Sequence, residues 1–496
     1  MSDSTTIAKN TIALFIGEII AHLLGFFITI LLARYLGDAG FGVYSFAFAI
    51  AQIVMIFTDL GMSTLMIRNA SRKTSLLKEY ARNIFWIKVL LSLCAISGIG
   101  IVMLVIEKSS TIRLTVILAT LAMILLEFSF FFRKFFNVFQ HLEYEAIVKV
   151  SEKIITFILL IVLLLWKNYT VLLIISIFLI AYALTLIVAL ILASKLLASK
   201  SYTFELFTNK GIIDTFSKSA RFYKKYKSLF LQFGMATIFS VIYFKIDTVM
   251  IFYMLISGDS AVGWYNAAYK LIDGLNFIPT LFNVAMFPAM SLLYLRNKKY
   301  LNLVFEKSVY YLLLLAIPIG FSVTLLAERV ILFFYTTEYA NSILALQILI
   351  WAEVFVFVNY FIGFLLNSID RQKLFTTTIF IGLIFNVILN LLLIPIYGIY
   401  GAAFATLLTE ILNFGMLYYF SMKKGYTFNI LKTIYKPLVA SLVVVIGIYI
   451  TYFLHILLII PTAIVLYFLA LYSINGFGKN EFELFLKAVK KLRQKN

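Results

Sequence analysis

The residues with chemistry to offer are the charged ones buried in long apolar runs. Lys245 and Lys270 lie inside neighbouring runs that otherwise read as hydrocarbon. An ammonium group in such a setting costs a few kcal/mol unless it is paired or wet. Measured from the run ends at about 1.5 Å per residue, both lysines sit roughly 14–16 Å deep. Because the two runs are consecutive, the ammonium groups are placed to flank one aqueous cavity near the midplane and to bind an anion there. Acids accompany them: Asp247 and Asp273 on the same two runs, Glu353 and Glu410 central in later ones, and Glu18, Asp59 and Glu127 nearer run ends. Lys270 and Asp273, at i and i+3, fall on one helical face and can pair, whereas Lys245 and Asp247, two apart, point to nearly opposite faces. Of that second pair, one looks toward the cavity and the other toward a partner in its own half. Charged pairs acting only to hold helices together are the competing reading. Lys88, about a turn from the end of its run, reads as a side chain that snorkels to the interface.

A second group is neutral. Asn386 and Asn390 share one helical face, and Glu410 and Asn413 lie one turn apart on the next run. Oxygen ligands on adjacent helices suit a sodium ion or a proton; interhelical hydrogen bonding accounts for the same residues. Other chemistry is missing. No G-x-x-x-x-G-K-[ST], H-E-x-x-H or D-x-D motif occurs. The histidines at 22, 141 and 455 form no ligand cluster, and Cys94 is the single cysteine, so neither a disulfide framework nor a thiol metal site is expected. The polar loops are too short for a separate catalytic domain. These features favour a transporter over an enzyme, with no cofactor beyond a Na+ or H+ coupling ion.

The elements that must position these residues are membrane spans. Of 496 residues, 63% are hydrophobic and 13% charged, too apolar for a soluble core. Runs of spanning length occur near 11–33, 41–66, 83–106, 112–132, 147–166, 170–193, 229–256, 261–294, 308–327, 340–367, 374–394, 398–420, 434–453 and 456–474. An all-α polytopic membrane protein of about 14 transmembrane helices follows. The net charge of +19 would suggest nucleic acid in a soluble protein. Here it partitions by loop: 34 of the 42 Lys and Arg residues fall in alternate connections, which the positive-inside rule assigns to the cytoplasm together with both termini. A plasma-membrane protein with no nucleic-acid partner is the expectation. The organisation reads as a six-helix lobe at 1–194, a basic cytoplasmic linker at 195–228, a second six-helix lobe at 229–421, and two extra spans with a basic tail at 422–496. In that tail Phe482, Phe485, Leu486, Val489 and Leu492 share a face ringed by Lys487, Lys490, Lys491 and Arg493, the pattern of an interfacial helix on anionic lipid. All six prolines lie in the second half, and two, Pro279 and Pro288, interrupt span eight. Proline removes a backbone hydrogen bond and admits a bend.

The two lobes echo one another. Gly258, Asp259, Gly263, Tyr265 and Ala268 match Gly37, Asp38, Gly42, Tyr44 and Ala47 at a constant offset of 221, each set opening an even-numbered span. Six spans separate the copies, so the halves share one orientation, the parallel type of transporter repeat. Lys270 and Asp273 correspond to Ala49 and Gln52, which weights the anion site toward the second half.

Five stretches carry a resemblance: A-R-Y-L-G-D-A-G-F-G-V-Y-S over Ala33 to Ser45, D-L-G over Asp59 to Gly61, K-I-D-T over Lys245 to Thr248, V-G-W-Y-N-A-A-Y-K-L over Val262 to Leu271, and I-P-I-Y-G-I-Y-G-A-A-F-A-T over Ile394 to Thr406. In this order and register the chain resembles the polysaccharide or O-antigen flippases of the multidrug, oligosaccharidyl-lipid and polysaccharide exporter superfamily. The resemblance implies two six-helix lobes in a V around a central cavity. It also implies transfer of a polyprenyl-linked oligosaccharide to the outer leaflet, with a glycan polymerase or glycosyltransferases as partners. Arg34 and Lys270 become candidate cavity cations, Arg34 also reading as an ordinary external-loop charge. Tyr265, Asn266 and Tyr269 become candidates to meet sugar hydroxyls. A cation-coupled drug exporter and a membrane glycosyltransferase or ligase are the alternatives.

Overall fold

The computed structural model describes residues 4–107, 109–166, 170–200 and 212–476. Among these, all regular structure is helical: α1 (Ser4–Asp59), α2 (Met62–Arg72), α3 (Leu77–Ile106), α4 (Ser110–Val138), α5 (Leu142–Leu165), α6 (Val171–Ser199), α7 (Ile212–Met254), α8 (Gly258–Asp273), α9 (Phe277–Arg296), α10 (Lys298–Phe334), α11 (Ser342–Ser368), α12 (Gln372–Lys423), α13 (Ile430–Ile450) and α14 (Ile456–Ser473). The amphipathic tail at 482–493 and much of the basic linker lie outside the described residues.

The fold is that of an all-α polytopic membrane protein, and among the described residues eleven helical segments are long and apolar enough to cross a bilayer. Two of these carry a pair of predicted crossings each. In α1 the chain folds at Gly37 (φ 67°, ψ −179°) and in α12 at Gly398 (φ 58°, ψ −137°). A left-handed φ is cheap only for glycine, so the break falls where the sequence supplies one. Predicted span five corresponds to α5, which falls outside the eleven because it carries Lys149, Glu152 and Lys153 close together, and predicted span eight is divided into α8 and α9.

The chain forms two compact units, residues 1–263 and 264–496. In the first, Phe131, Phe135 and Phe136 of α4, Met62, Leu65 and Met66 of α2, and Phe222 and Phe230 of α7 build one core. In the second, Phe305 of α10, Phe357 and Phe361 of α11, and Met286 and Met290 of α9 build another, with Phe305 and Phe361 stacked at 5.9 Å. A smaller cluster joins α13 and α14 to α10, where the Tyr467 hydroxyl donates to the Leu314 carbonyl at 2.6 Å. Outside these cores the burial pattern departs from a soluble protein's. Val105, Leu165 and Ile396 are exposed, whereas Thr115, Thr120, Ser129, Asn283 and Ser308 are buried. In lipid, apolar side chains gain nothing by hiding, so small and polar residues take the interhelical seams.

The echoed turns share a side-chain contact. Asp38 accepts from the Ala39 N–H at 2.7 Å, and Asp259 accepts from the Ser260 N–H at 2.9 Å. The two turns also face each other within the first unit. A Cβ on Gly42 would overlap the Asp259 carbonyl, and a Cβ on Gly263 would overlap the Asp38 carbonyl. Offset by 221, each glycine therefore presses on the other copy's aspartate backbone. Beside them Phe46 stacks on Phe252 at 3.7 Å.

Candidate functional site

The break between α8 and α9 organises the second unit's polar residues. It falls at residues 274–276 rather than at a proline. Pro279 occupies the first turn of α9, where its missing N–H is an orphan in any case, and Pro288 lies inside α9. The chain turns through tight backbone hydrogen bonds: Gly274 N–H to the Lys270 carbonyl at 3.2 Å, Leu275 N–H to Ile272 at 2.7 Å, and Asn276 N–H to Asp273 at 3.2 Å. Lys270 occupies the last turn of α8, where a cation complements the negative end of the helix dipole. Its Nζ lies 3.5 Å from the Asp273 carboxylate, the expected i, i+3 pair, and the side chains are 32% and 44% exposed. At that exposure the pair is a loose one, and an ammonium so held remains accessible to an anion.

The other sequence candidates divide by burial. Tyr265 is 1% exposed, its hydroxyl 3.4 Å from Thr406 Oγ1 and its ring stacked on Tyr269 at 5.9 Å. Asn266 is buried as well, while Tyr269 is half-buried. The start of this segment is fastened by Trp264, whose Nε1–H donates to the Glu338 carbonyl at 2.9 Å, and by Ser342, which donates to the Trp264 carbonyl at 2.7 Å. Of the Lys245 and Asp247 pair, Asp247 is buried at 4% exposure and Lys245 is half-buried. Arg34 is exposed, three residues before the Gly37 break.

A second polar centre lies within the second unit. Glu353 of α11 is buried, and Asp273 and Glu410 are near enough to act on it electrostatically. Its Oε1 has no hydrogen-bond partner. Glu410 accepts from Asn359 Nδ2 at 2.7 Å, and the same amide donates to the Glu410 backbone carbonyl at 3.0 Å. Asn359 Oδ1 and Asn413 Oδ1 are buried and unpaired. Asn386 and Asn390 are fully buried, with Asn390 Nδ2 donating to Asn386 Oδ1 at 3.0 Å. Among the described residues no three His, Cys, Asp or Glu side chains converge as a metal site. A cation here would be held by carboxylate and amide oxygens together. Asn359, and Tyr360, which lies near enough for Glu353, Glu410 and Asp273 to act on it electrostatically, were not legible as members of this centre. Tyr360 follows Glu353 by two helical turns and so shares its face, and that spacing is the signal that could have found it.

Lys88 corrects an expectation. It does not snorkel: its side chain is 1% exposed, with Nζ 2.7 Å from Asp59 Oδ1 and 2.5 Å from Glu127 Oε1. Two carboxylates on neighbouring helices outcompete the interface because they satisfy the charge at once. Glu18, also placed near a run end, pairs with Lys149 of α5. A cleft of about 350 Å³ lined by Leu325, Val445, Ile446, Ile448, Tyr449 and Tyr452 is wholly apolar and contains none of these residues.

Fold and buried charge together define a membrane transporter class, and comparison with known proteins places the chain within it. Residues 7–294 match the family described as polysaccharide biosynthesis protein, and residues 233–392 match the MatE family. The chain belongs to the polysaccharide biosynthesis protein family, within the multidrug, oligosaccharidyl-lipid and polysaccharide exporter superfamily. It is 30% identical over 177 residues to the probable flippase AglR of Haloferax volcanii, covering 34% of this chain and 36% of that one. It is 32% identical over 141 residues to the lipid II flippase MurJ of Bacillus subtilis, covering 27% and 26%. The matched stretches thus span about a third of these relatives or less. In fold it is similar to a lipid II flippase MurJ in an inward closed conformation, with TM-score 0.75 at 19% identity over 92% of this chain and 98% of that one. It is also similar to an inward-facing multidrug resistance MATE transporter, with TM-score 0.59 at 17% identity over 82% and 95%.

Proposed function

We propose that the protein is a flippase that carries a polyprenyl-(pyro)phosphate-linked oligosaccharide from the cytoplasmic to the outer leaflet of the plasma membrane by alternating access of two six-helix lobes, residues 1–194 and 229–421. The observation that carries this reading is Lys270, an accessible ammonium in the last turn of a helix that breaks within its span. A lipid-linked sugar has a phosphate or pyrophosphate that cannot cross roughly 30 Å of hydrocarbon bare. Discontinuous spans are where transporters gather polar ligand contacts. In the second unit Lys270 binds the anion and Tyr269 meets sugar hydroxyls; in the first, Lys245 and Arg34 are the candidate cations. Instead of facing the glycan, Tyr265 is buried and holds Tyr269 in place by stacking on it, and Asn266 is buried as well. The isoprenoid tail stays in lipid throughout. The names of the flippase relatives agree with this assignment, and the basic loops set both termini in the cytoplasm. Energy comes from the membrane potential or from a Na+ or H+ bound in the second unit among Glu353, Glu410, Asn386 and Asn390; Asp247 is a separate ion-coupling candidate in the first unit. The glycan is then handed to polymerising or transferring enzymes.

The test is reconstitution with a fluorescent lipid-linked oligosaccharide. Lys270→Ala and Lys245→Ala should each lower the translocation rate at least tenfold while the protein still inserts and elutes normally. Unchanged rates in both would end the assignment. The buried acids Glu353 and Glu410, with the MatE match over residues 233–392, favour one second reading, a cation-coupled drug exporter. Transport of organic cations without glycan transport would establish that instead.

A further inference from the structure

We propose that Asp59, Lys88 and Glu127 form a proton-binding site in the first unit, with Glu127 as the group that takes the proton. The three side chains come from α1, α3 and α4, and one ammonium lies within 2.7 Å of two carboxylates. Fully ionised, the triad places one uncompensated negative charge in an apolar core, where such a charge is costly. Binding one proton removes the excess and leaves Lys88 paired with the remaining carboxylate.

The hydrogen bonds decide which acid accepts it. Asp59 has three donors: Lys88, and Ser63 of α2, whose hydroxyl and backbone N–H both donate to Oδ1, the latter at 3.3 Å. Glu127 has Lys88 as its hydrogen-bond donor. The other charge acting on it is Lys134, two turns further along α4 and half-buried. The Phe131 ring, 6.0 Å from Lys88 Nζ, closes the site from its own helix. α7 contributes backbone at the neighbouring Gly61, whose Cβ would meet Gly234 N at 2.6 Å and the Phe230 carbonyl at 2.7 Å. Of the three, Asp59 is the most open, its side chain 19% exposed against 11% for Glu127 and 1% for Lys88. The step is an acid–base exchange in which hydronium gives its proton to a Glu127 oxygen and leaves as water.

The position gives the proton something to act on. Asp59 ends α1, and the chain then passes through Leu60 and Gly61, both at positive φ, into α2. When Glu127 is neutral, Lys88 is given wholly to Asp59, which tightens the anchor of this break. The transporter reading supplies the purpose of such a site, but the binding chemistry stands apart from it.

Infrared difference spectra of the full-length protein in liposomes without glycan, stepped from about pH 10 to about pH 5, test the proposal in a Glu353→Gln background with 13C-labelled glutamate. The expected result is a label-shifted carboxylic-acid carbonyl band that grows as pH falls and is lost with Glu127→Gln. A band unchanged by Glu127→Gln, or no band at all, overturns it. Should Glu127→Gln fail to fold by size-exclusion elution, Glu127→Asp should transfer the band to 13C-aspartate. A band that remains with glutamate then overturns it. Because no glycan is present, failure here leaves the flippase assignment to its own assay.

Discussion

Substituting Gly42 or Gly263 with alanine should destabilise the first unit, although glycine to alanine inside a helix ordinarily does the opposite. A methyl at Gly42 lands on the Asp259 carbonyl and at 2.9 Å from Gly263 N, and one at Gly263 lands on the Asp38 carbonyl. Backbone cannot rotate aside as a side chain can, so one helix segment must move. Such overpacking costs typically about 1–3 kcal/mol. Gly98 and Gly100 on α3 provide the control, since a Cβ there meets nothing within 4 Å. At those positions alanine should stabilise by about 0.5–1 kcal/mol through helix propensity. The two clashing sites share one crossing, so the double variant should cost less than the sum of the singles, because the first methyl already separates the strands of backbone that the second would strike. Thermal unfolding of the purified protein, read by tryptophan fluorescence, gives all four signs in one series. If Gly42→Ala and Gly263→Ala matched the α3 controls in sign, the close packing of the two turns would be refuted.

Two further outcomes follow from the buried charges. Lys88→Met leaves two carboxylates without their cation and should cost about 3–5 kcal/mol, most of it recovered in the triple variant with Asp59→Asn and Glu127→Gln; chemical denaturation of the three proteins reads the difference, and a single variant as stable as the wild type would contradict the pairing. Sodium, compared with choline at equal ionic strength, should raise the melting temperature of the wild type, and Glu353→Gln should abolish that increment; an increment that survives the substitution places the cation elsewhere.

Much of the organisation was legible because lipid is a demanding solvent. A span must be about 20 residues of apolar side chain whatever its neighbours, so the crossing segments, the all-helical class and the echo of Gly37–Ala47 in Gly258–Ala268 could be read from composition and spacing alone. The pairing of Lys270 with Asp273 was legible for a similar reason, since an i, i+3 pair depends on one helix only. Helix boundaries were less so. The bends at Gly37 and Gly398, and the break after Asp273 instead of at Pro279, depend on the local turn and on what packs against it.

The partners of isolated charges lay beyond the sequence. Lys88 reads alone as a snorkelling residue near a run end, because Asp59 and Glu127 are 29 positions before it and 39 after it; only the packing of α1, α3 and α4 brings them within 2.7 Å. Tyr265 reads as a sugar contact until α12 covers it with Thr406. Glu353 was legible as a buried acid, but its company, Asn359 holding Glu410 beside it, required α11 and α12 to meet. Sequence determined what must be buried in the bilayer and where the costly charges are, because transfer free energy is a property of each residue. Tertiary structure decided which charges neutralise one another, because that is a property of distances between helices, and no spacing along a single one records them.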